Sequence, residues 1–222
     1  MHKKIMALTL LSLLTGCSSL SVEDCANTDW KEQGYGEAKA GFSLKRYDYY
    51  AQECKELGGV IPPKADYTSG HYQGTQEFCT SISGYKFGKE GGYYQQSCKE
   101  WKLDETVFFK GYQAGTEYYK AQKAVDDDIK ELEDNRSKAS ATESSIASTE
   151  EKLKRTELTN QQRADLQIEL QNLRSRYNEL VYLQPRKIER IEANKRMLEA
   201  IVVKHNRLNY CDYQGCFSDN TN

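Results

Sequence analysis

The sequence is short of the side chains that fill a large hydrophobic core. Hydrophobic residues make up 38% of its 222 residues, a share that includes 16 tyrosines and 7 cysteines, and the mean hydropathy is −0.82. Aliphatic side chains are therefore scarce, which excludes a single large core. A chain of this length and composition suits one or two small domains.

Short motifs of the common catalytic and metal sites are also missing. The sequence contains no G-x-S-x-G, no H-E-x-x-H and no C-x-x-C, and these are the motifs of a nucleophile elbow, a zinc protease and many zinc sites. The acidic run at residues 126–128 lacks the spaced ligands and the glycine of an EF-hand loop, so it fits a solvated helix face. We therefore predict a protein that is not an enzyme and that holds no metal and no cofactor.

Neither sign of charge is in excess. The 31 basic and 33 acidic side chains give a formal net charge of −2, whereas a nucleic-acid partner calls for a clustered basic patch. Lys152, Lys154 and Arg155 form a small basic group. This group could meet an acidic surface, although paired charges on an exposed helix explain it as well. We expect no nucleic-acid partner.

Long hydrophobic runs are absent as well, and the sequence has only a short one, near its start. Residues 5–14 form an apolar run after the charged residues His2, Lys3 and Lys4. The run is about half the roughly 20 apolar residues that a membrane-spanning helix needs. This arrangement is typical of a secretory signal peptide, which we predict to occupy residues 1–16.

The four residues that end the leader are Leu14, Thr15, Gly16 and Cys17, and they resemble the lipobox of bacterial lipoproteins. The resemblance implies that Cys17 becomes an N-terminus anchored by acyl chains such as palmitate, with residues 17–24 as a short tether. Ser18 stands where an aspartate tends to retain such proteins in the inner membrane. We therefore predict a periplasm-facing lipoprotein of the outer membrane of a Gram-negative bacterium. The alternative is an ordinary secreted protein with a chance cysteine near its cleavage site.

The other cysteines are even in number, which favours disulfides in an oxidising compartment. They are Cys25, Cys54, Cys79, Cys98, Cys211 and Cys216. The sequence does not choose among the pairings. The last two lie in a tail at residues 209–222 and pair either with each other or with the N-terminal domain. We predict at least one bond between the tail and that domain.

Residues 25–103 concentrate glycine, tyrosine and cysteine, and part of this domain is repeated further along the chain. Each copy has an aromatic residue, a glycine three residues later, a second glycine four residues after that, then threonine; the copies run from Tyr67 and from Phe108. Small residues four apart lie on one helix face and allow another backbone to come close. We predict helices at residues 28–40, 46–57 and 64–79 and a glycine-rich loop at 81–92. The aromatic residues either fill a small core or form a carbohydrate-binding surface.

Several segments together carry a family resemblance. They are the run from Cys25 to Trp30, Gly34-Tyr35, the segment from Tyr50 to Cys54, Tyr67-x-x-Gly70-x-x-x-Gly74 and Phe109-x-Gly111-Tyr112-x-x-Gly115. With the lipobox, they resemble a family of proteobacterial lipoproteins known only as a domain of unknown function, over roughly residues 17–119. The resemblance implies no activity, ligand or catalytic residue.

Residues 104–208 show the heptad spacing of a coiled coil. Apolar residues recur every seven positions from Tyr118 to Leu153, and a second apolar series follows Leu166. Thr159 and Gln162 form a capping box that opens a second helix, which predicts an antiparallel hairpin with its turn near residues 158–160. Pro185 is expected to kink or interrupt the returning helix. His205 falls on the apolar stripe and is predicted to pack there.

The fold class we predict is mainly α: a small disulfide-stapled domain and a long antiparallel coiled-coil hairpin. The first arm of the hairpin has a seam rich in Ser, Ala and Thr at residues 137–149, which suits a mobile tip or a third helix from a partner or from another copy of the chain. The leading hypothesis is a structural or adaptor role in which the hairpin tip contacts an envelope protein or the cell wall. The alternative is a sugar- or peptide-binding module, or an inhibitor of an envelope enzyme, acting through the Gly/Tyr domain.

Overall fold

The computed structural model describes residues 20–210, and every element of secondary structure in this part is an α-helix. In chain order the helices are α1 Val22–Asn27, α2 Trp30–Lys39, α3 Arg46–Glu56, α4 Lys64–Phe78, α5 Ser81–Lys89, α6 Ser97–Glu100, α7 Glu105–Leu153 and α8 Asn160–Arg207. The mainly α fold is confirmed. Cys17, Cys211 and Cys216, with the predicted signal peptide and most of the tail, lie outside the described residues. No helix within residues 20–210 combines the length and apolar character needed to cross a membrane.

Three of the predicted helices are present as α2, α3 and α4, but the predicted glycine-rich loop is wrong. Residues 81–89 form α5, which begins after Thr80, whose hydroxyl accepts a hydrogen bond from the backbone N–H of Ser83. Each glycine in a helix costs about 1 kcal/mol relative to alanine. Close packing of Gly84 and Gly88 against α7 offsets that penalty, so these glycines are contact positions inside a helix.

The chain divides into two compact units. The first contains the described residues up to Phe78 together with Tyr94–Leu103, and the second contains Cys79–Tyr93 with residues 104–210. Residues 79–93, which composition groups with the first domain, thus belong with the long helices of the second unit. Each unit contains one helix pair of the glycine-rich repeat.

The core of the first unit is aromatic. Trp30, Tyr47, Tyr50 and Tyr67 are buried there beside a disulfide between Cys25 and Cys54. Cys79 and Cys98 are also disulfide-bonded. Phenol rings replace the missing aliphatic side chains, so the aromatic residues of the repeat fill a core, one of the two roles that the sequence left open.

The pair α2–α4 in the first unit is held at very short range through glycines. A Cβ atom on Gly70 would lie 1.8 Å from the carbonyl oxygen of Lys31, and one on Gly34 would lie 2.3 Å from that of Tyr67. Real Cβ atoms do not approach backbone atoms so closely. The small residues therefore bring the two backbones into direct contact, as their spacing predicts.

The pair α5–α7 in the second unit repeats this geometry position by position. A Cβ atom on Gly111 would lie 1.8 Å from the carbonyl oxygen of Ser81, and one on Gly84 would lie 2.3 Å from that of Phe108. The repeat seen in the sequence is therefore a repeat of helix packing.

Helices α7 and α8, of 49 and 48 residues, run antiparallel. Contacting partners converge along the chain: Glu117 pairs with Lys204, and Glu150 pairs with Arg174. At 1.5 Å per residue each helix is about 70 Å long. The predicted capping box at Thr159 and Gln162 is confirmed. Of the two outcomes expected at Pro185, a kink or an interruption, the interruption does not occur, because α8 continues through this residue.

Candidate functional site

The seam of the hairpin has one apolar series and one polar series on α7. The apolar series is buried at Tyr118, Val125, Leu132 and Ala139, and it is half-buried at its last two members, Ile146 and Leu153. The companion series places Asn135, Thr142 and Thr149 in the seam, and these are also buried. The apolar contact therefore runs along one side of the seam, and polar side chains occupy the other.

The polar side of the seam is held by few hydrogen bonds between the two helices. The Thr142 hydroxyl donates to the carbonyl oxygen of Lys138 in its own helix, at 2.7 Å. The Thr149 hydroxyl donates to a carboxylate oxygen of Glu169 on α8, at 3.4 Å. The side-chain oxygen of Asn135 is buried without a hydrogen-bond partner in the described structure. These side chains thus add little to the association of α7 with α8.

The facing stripe of α8 is poorly covered over its first 30 residues. Its apolar positions there are only half-buried: Leu166, Leu170, Leu173, Tyr177 and Leu180. The fully buried residues of α8 are Ile191, Val202 and His205, all in its second half. Ile188, predicted to lie on this stripe, is 41% exposed. We call residues 135–180 the distal hairpin, and its apolar stripe is partly open.

Ion pairs are concentrated outside the distal hairpin. Glu131 pairs with both Lys187 and Arg190, and Arg190 also reaches Asp128 at 2.9 Å. The distal hairpin has one ion pair between its helices, Arg174 with Glu150 at 2.7 Å, as far as the described residues show. Exposed pairs of this kind contribute less than about 1 kcal/mol each, so the apolar packing decides the difference between the two halves.

The tip of the hairpin is a short turn closed by arginine. Arg163 donates hydrogen bonds to the carbonyl oxygens of Leu153, at 3.0 Å, and Arg155, at 3.2 Å, which satisfies carbonyls at the end of α7. Of the basic group near the tip, Lys154 pairs with Glu151 in its own helix, at 2.8 Å. The turn itself is therefore well ordered by hydrogen bonds.

His205 lies on the α8 stripe, as predicted, and is fully buried. Its Nε2 is 3.2 Å from a carboxylate oxygen of Glu117, and its Nδ1 is 3.4 Å from the hydroxyl of Tyr85. A hydrogen bond from Lys204, with a further one from His205, lowers the pKa of Glu117. The imidazole packs against the rings of Tyr85 and Tyr210, and it joins α8 to the α5–α7 pair.

The first unit contains a polar cluster that the sequence did not single out. The carboxylate of Glu37 is 7% exposed and accepts hydrogen bonds from the hydroxyls of Tyr50 and Tyr67, the latter at 2.5 Å. Gln33 donates to it at 2.8 Å, and Arg46 Nε lies 2.9 Å away. Burial, followed by the hydrogen bond to Glu37, raises the pKa of Tyr67, so this phenol remains a donor.

A second buried polar residue, His71, fixes the loop that follows α2. Trp101 donates to its Nδ1 at 2.9 Å, so the proton lies on Nε2, which is 3.1 Å from the carbonyl oxygen of Phe42. Burial lowers the pKa of His71 and favours this neutral form. The histidine thereby positions Phe42, whose ring is 36% exposed.

No group of three or more His, Cys, Asp or Glu side chains suited to a metal occurs within residues 20–210. Among the residues predicted for disulfides, Cys25, Cys54, Cys79 and Cys98 are bonded. Glu37 could have been suspected from sequence, because a charged residue lies on the same helix face as Gly34 and Ala38. Its partners could not, since Tyr50 and Tyr67 come from two other helices.

Comparison with known proteins bears on residues 29–117 of the chain. No curated protein and no solved structure matches the sequence. A family model described as a protein of unknown function, DUF2799, matches residues 29–117. The match spans both glycine-mediated helix pairs and ends where α7 enters the hairpin, and it confirms the resemblance to a family known only as a domain of unknown function. Over this part, the chain therefore resembles the DUF2799 family, whose function is unknown.

Proposed function

We propose that this protein is a lipid-anchored adaptor of the bacterial outer membrane, whose distal hairpin binds a helix of another envelope protein. The observation that carries the proposal is the partly open apolar stripe of α8 from Leu166 to Leu180. The leader ending at Cys17 supports the anchor and the compartment. The role needs no catalytic residue, metal or cofactor.

The physical argument starts from the geometry of two paired helices. Each helix of such a pair can cover only one side of its neighbour's apolar stripe. In the second half of α8 the stripe is covered further, because Val202 packs with Tyr85 and Tyr118. The distal hairpin has no such third element among the described residues. A third amphipathic helix would complete a bundle of the kind that heptad spacing favours.

The composition of the distal hairpin favours the binding of a third helix over a two-helix packing that is complete without one. Fully burying a leucine side chain contributes about 1.5–3 kcal/mol, and the leucines at positions 166, 170, 173 and 180 are only half-buried. Ser and Thr opposite them leave space and hydrogen-bonding capacity in the seam. An added helix would bury the exposed part of these leucines.

The test is photocrosslinking in cells with the full chain. A photoreactive residue at Leu173, which lies on the partly open stripe of the distal hairpin, should capture one distinct envelope protein. The matched control is Leu198, which lies on the same stripe with similar burial but is covered by the cluster of Tyr85, Tyr118 and Val202. It should capture the same protein at no more than background level.

Two further arms decide the interpretation. Cys17→Ala should release the protein from the membrane fraction and reduce capture, because the anchor holds the hairpin near its partner. Equal capture from positions 173 and 198, or none from either, would contradict the adaptor role. Crosslinks only to a second copy of the chain would replace the heterologous partner with a homo-oligomer and would likewise refute the proposal as stated.

A further inference from the structure

We infer that Arg46 forms a binding site for the carboxylate group of a peptide ligand, in a cleft of the first unit. The cleft has a volume of about 500 Å³ and is lined by Phe42, Ser43, Lys45, Arg46 and Gln95. The inference does not depend on the hairpin or on the adaptor role. It rests on how the guanidinium group is held.

One edge of the Arg46 guanidinium is fixed by the buried polar cluster. Its Nε lies 2.9 Å from a carboxylate oxygen of Glu37 and 3.0 Å from the hydroxyl of Tyr50. Its planar face stacks on Phe42, with the guanidinium carbon 4.2 Å from the ring centroid. Phe42 is itself positioned by His71 through its carbonyl group. The side chain is therefore held before any ligand arrives, which lowers the entropy lost on binding.

The other edge of the same guanidinium is unused. Within residues 20–210 neither terminal nitrogen, Nη1 or Nη2, donates a hydrogen bond, and the Arg46 side chain is 42% exposed. Two parallel N–H groups in one plane match the two oxygens of a carboxylate. Arg46 therefore differs from an ordinary surface arginine, because the buried carboxylate of Glu37 fixes one edge of its guanidinium while the residue lines a cleft.

The charges around the cleft favour a single negative charge over a phosphate dianion. Glu37 balances the charge of Arg46, and the carboxylate of Glu100, which accepts hydrogen bonds from Ser43 and Leu44, lies beside Lys45. Little positive charge is therefore left over for a dianion. Phe42 also lines a neighbouring cleft of about 520 Å³ that presents Asp29, Glu32 and Glu37. These acidic groups disfavour a ligand with further negative charges beyond Phe42. A peptide chain that has one free carboxylate at Arg46 brings no second negative charge to this acidic cleft.

The test uses three probes on the purified full chain at neutral pH. The probes are N-acetyl-Ala-Ala with a free carboxylate, the same dipeptide as its amide, and inorganic phosphate. Nitrogen-15 NMR would follow the Nε–H signal of Arg46 and the side-chain amide of Gln95. The free carboxylate should shift both signals to saturation, and the amide should not. Equal shifts with the amide, no saturable shift, or tighter binding of phosphate would each overturn the inference.

Variants distinguish the contribution of the paired N–H donors of Arg46 from the contribution of its positive charge. Arg46→Lys keeps the charge but loses the paired donors, so affinity for the free dipeptide should fall at least about tenfold. Lys45→Gln should lower it about threefold, as an exposed charge does. Lys55→Gln, on the same helix but outside the cleft, is the matched control and should leave affinity unchanged. If Arg46→Lys unfolds the first unit, Lys45→Gln against Lys55→Gln still decides, because equal affinities would refute the site.

Discussion

The two glycine-mediated helix pairs have the same backbone geometry but different interiors. Gly34 meets the carbonyl oxygen of Tyr67 in the first unit, and Gly84 meets that of Phe108 in the second, each with a built Cβ 2.3 Å away. In this alignment Glu37 of the first pair corresponds to Phe87 of the second. Glu37 accepts a hydrogen bond from Tyr67, whereas Phe87 packs on Phe108 with ring centroids 6.4 Å apart.

The comparison separates what holds a helix pair together from what it is used for. The close backbone contact is common to both pairs, so it belongs to the fold. The buried carboxylate occurs in the first pair, beside a cleft that exposes Arg46, and the second pair has an apolar contact in its place. A buried charge is a poor source of stability compared with apolar packing. Its presence in one copy of a repeated fold therefore indicates a task specific to that copy.

The largest expected effect comes from filling the shared contact. Gly70→Ala and Gly111→Ala should each lower the free energy of unfolding by about 3 kcal/mol, because the added methyl group must push two backbones apart. In each case the built Cβ lies 1.8 Å from a carbonyl oxygen. Urea denaturation measures the loss, and hydrogen exchange assigns it to the unit that carries the substitution.

Gly36→Ala is the matched control for those two changes. Gly36 lies in α2, and a Cβ there meets nothing within 4 Å. Alanine should therefore stabilise the helix by up to about 1 kcal/mol through its higher propensity. Losses of similar size at Gly36 and Gly70 would show that close approach is not what makes these glycines necessary.

The next effect sharpens the difference between the two interiors. Tyr67→Phe should cost about 2 kcal/mol, because it removes a donor from the buried carboxylate of Glu37. Tyr47→Phe is the comparison, since the Tyr47 hydroxyl donates at 2.9 Å to the neutral carbonyl of Pro62. It should cost about 1 kcal/mol. Equal losses in the free energy of unfolding would mean that a hydrogen bond to the carboxylate of Glu37 contributes no more than one to a neutral carbonyl.

The smallest effect is a pH dependence confined to the first unit. Burial lowers the pKa of His71 from its usual 6.5, so below that pH the unfolded chain binds a proton that the folded chain does not. The free energy of unfolding should therefore fall as the pH is lowered, by at most about 1 kcal/mol between pH 6.5 and 5.5. Burial lowers the pKa of His71 and outweighs the hydrogen bond to Phe42 and the attraction of Glu100 and Glu37, which act in the opposite direction.

His71→Gln should remove that slope when unfolding is compared between pH 5.5 and 7.5. Only the difference between the variant and the unchanged protein is informative, because His205 and the carboxylates are present in both. A slope that is unchanged in the variant would mean that His71 keeps its ordinary affinity for protons in the folded state. The tautomer that holds Phe42 would then need another explanation.

Local signals in the sequence were sufficient for most of the helices. The heptad series on α7, the capping box at Thr159 and the boundaries of α2, α3 and α4 depend on neighbours within a few residues, and each agrees with the structure. The errors fall where packing overrides propensity. Glycines in α5 predict a loop in isolation, yet Gly84 and Gly88 pack against α7, a contact that a local pattern does not contain.

The candidate sites were less accessible to sequence reasoning. The distal hairpin could be anticipated, because a seam rich in Ser, Ala and Thr is visible in the composition. The cleft at Arg46 could not. Its fork is oriented by Glu37 from α2 and Tyr50 from α3, and Phe42 is held by His71 from α4. Nothing in the spacing of these residues indicates that they meet.

By itself the sequence determined the fold class of the protein: a helical chain with an internal glycine repeat and a heptad hairpin. These follow from patterns that repeat at fixed intervals and need no folded structure to be recognised. Only the tertiary structure decided which copy of the repeat buries a charge and which arginine it orients. The reason is physical, since the environment of a side chain depends on helices that are distant in the chain and adjacent in space.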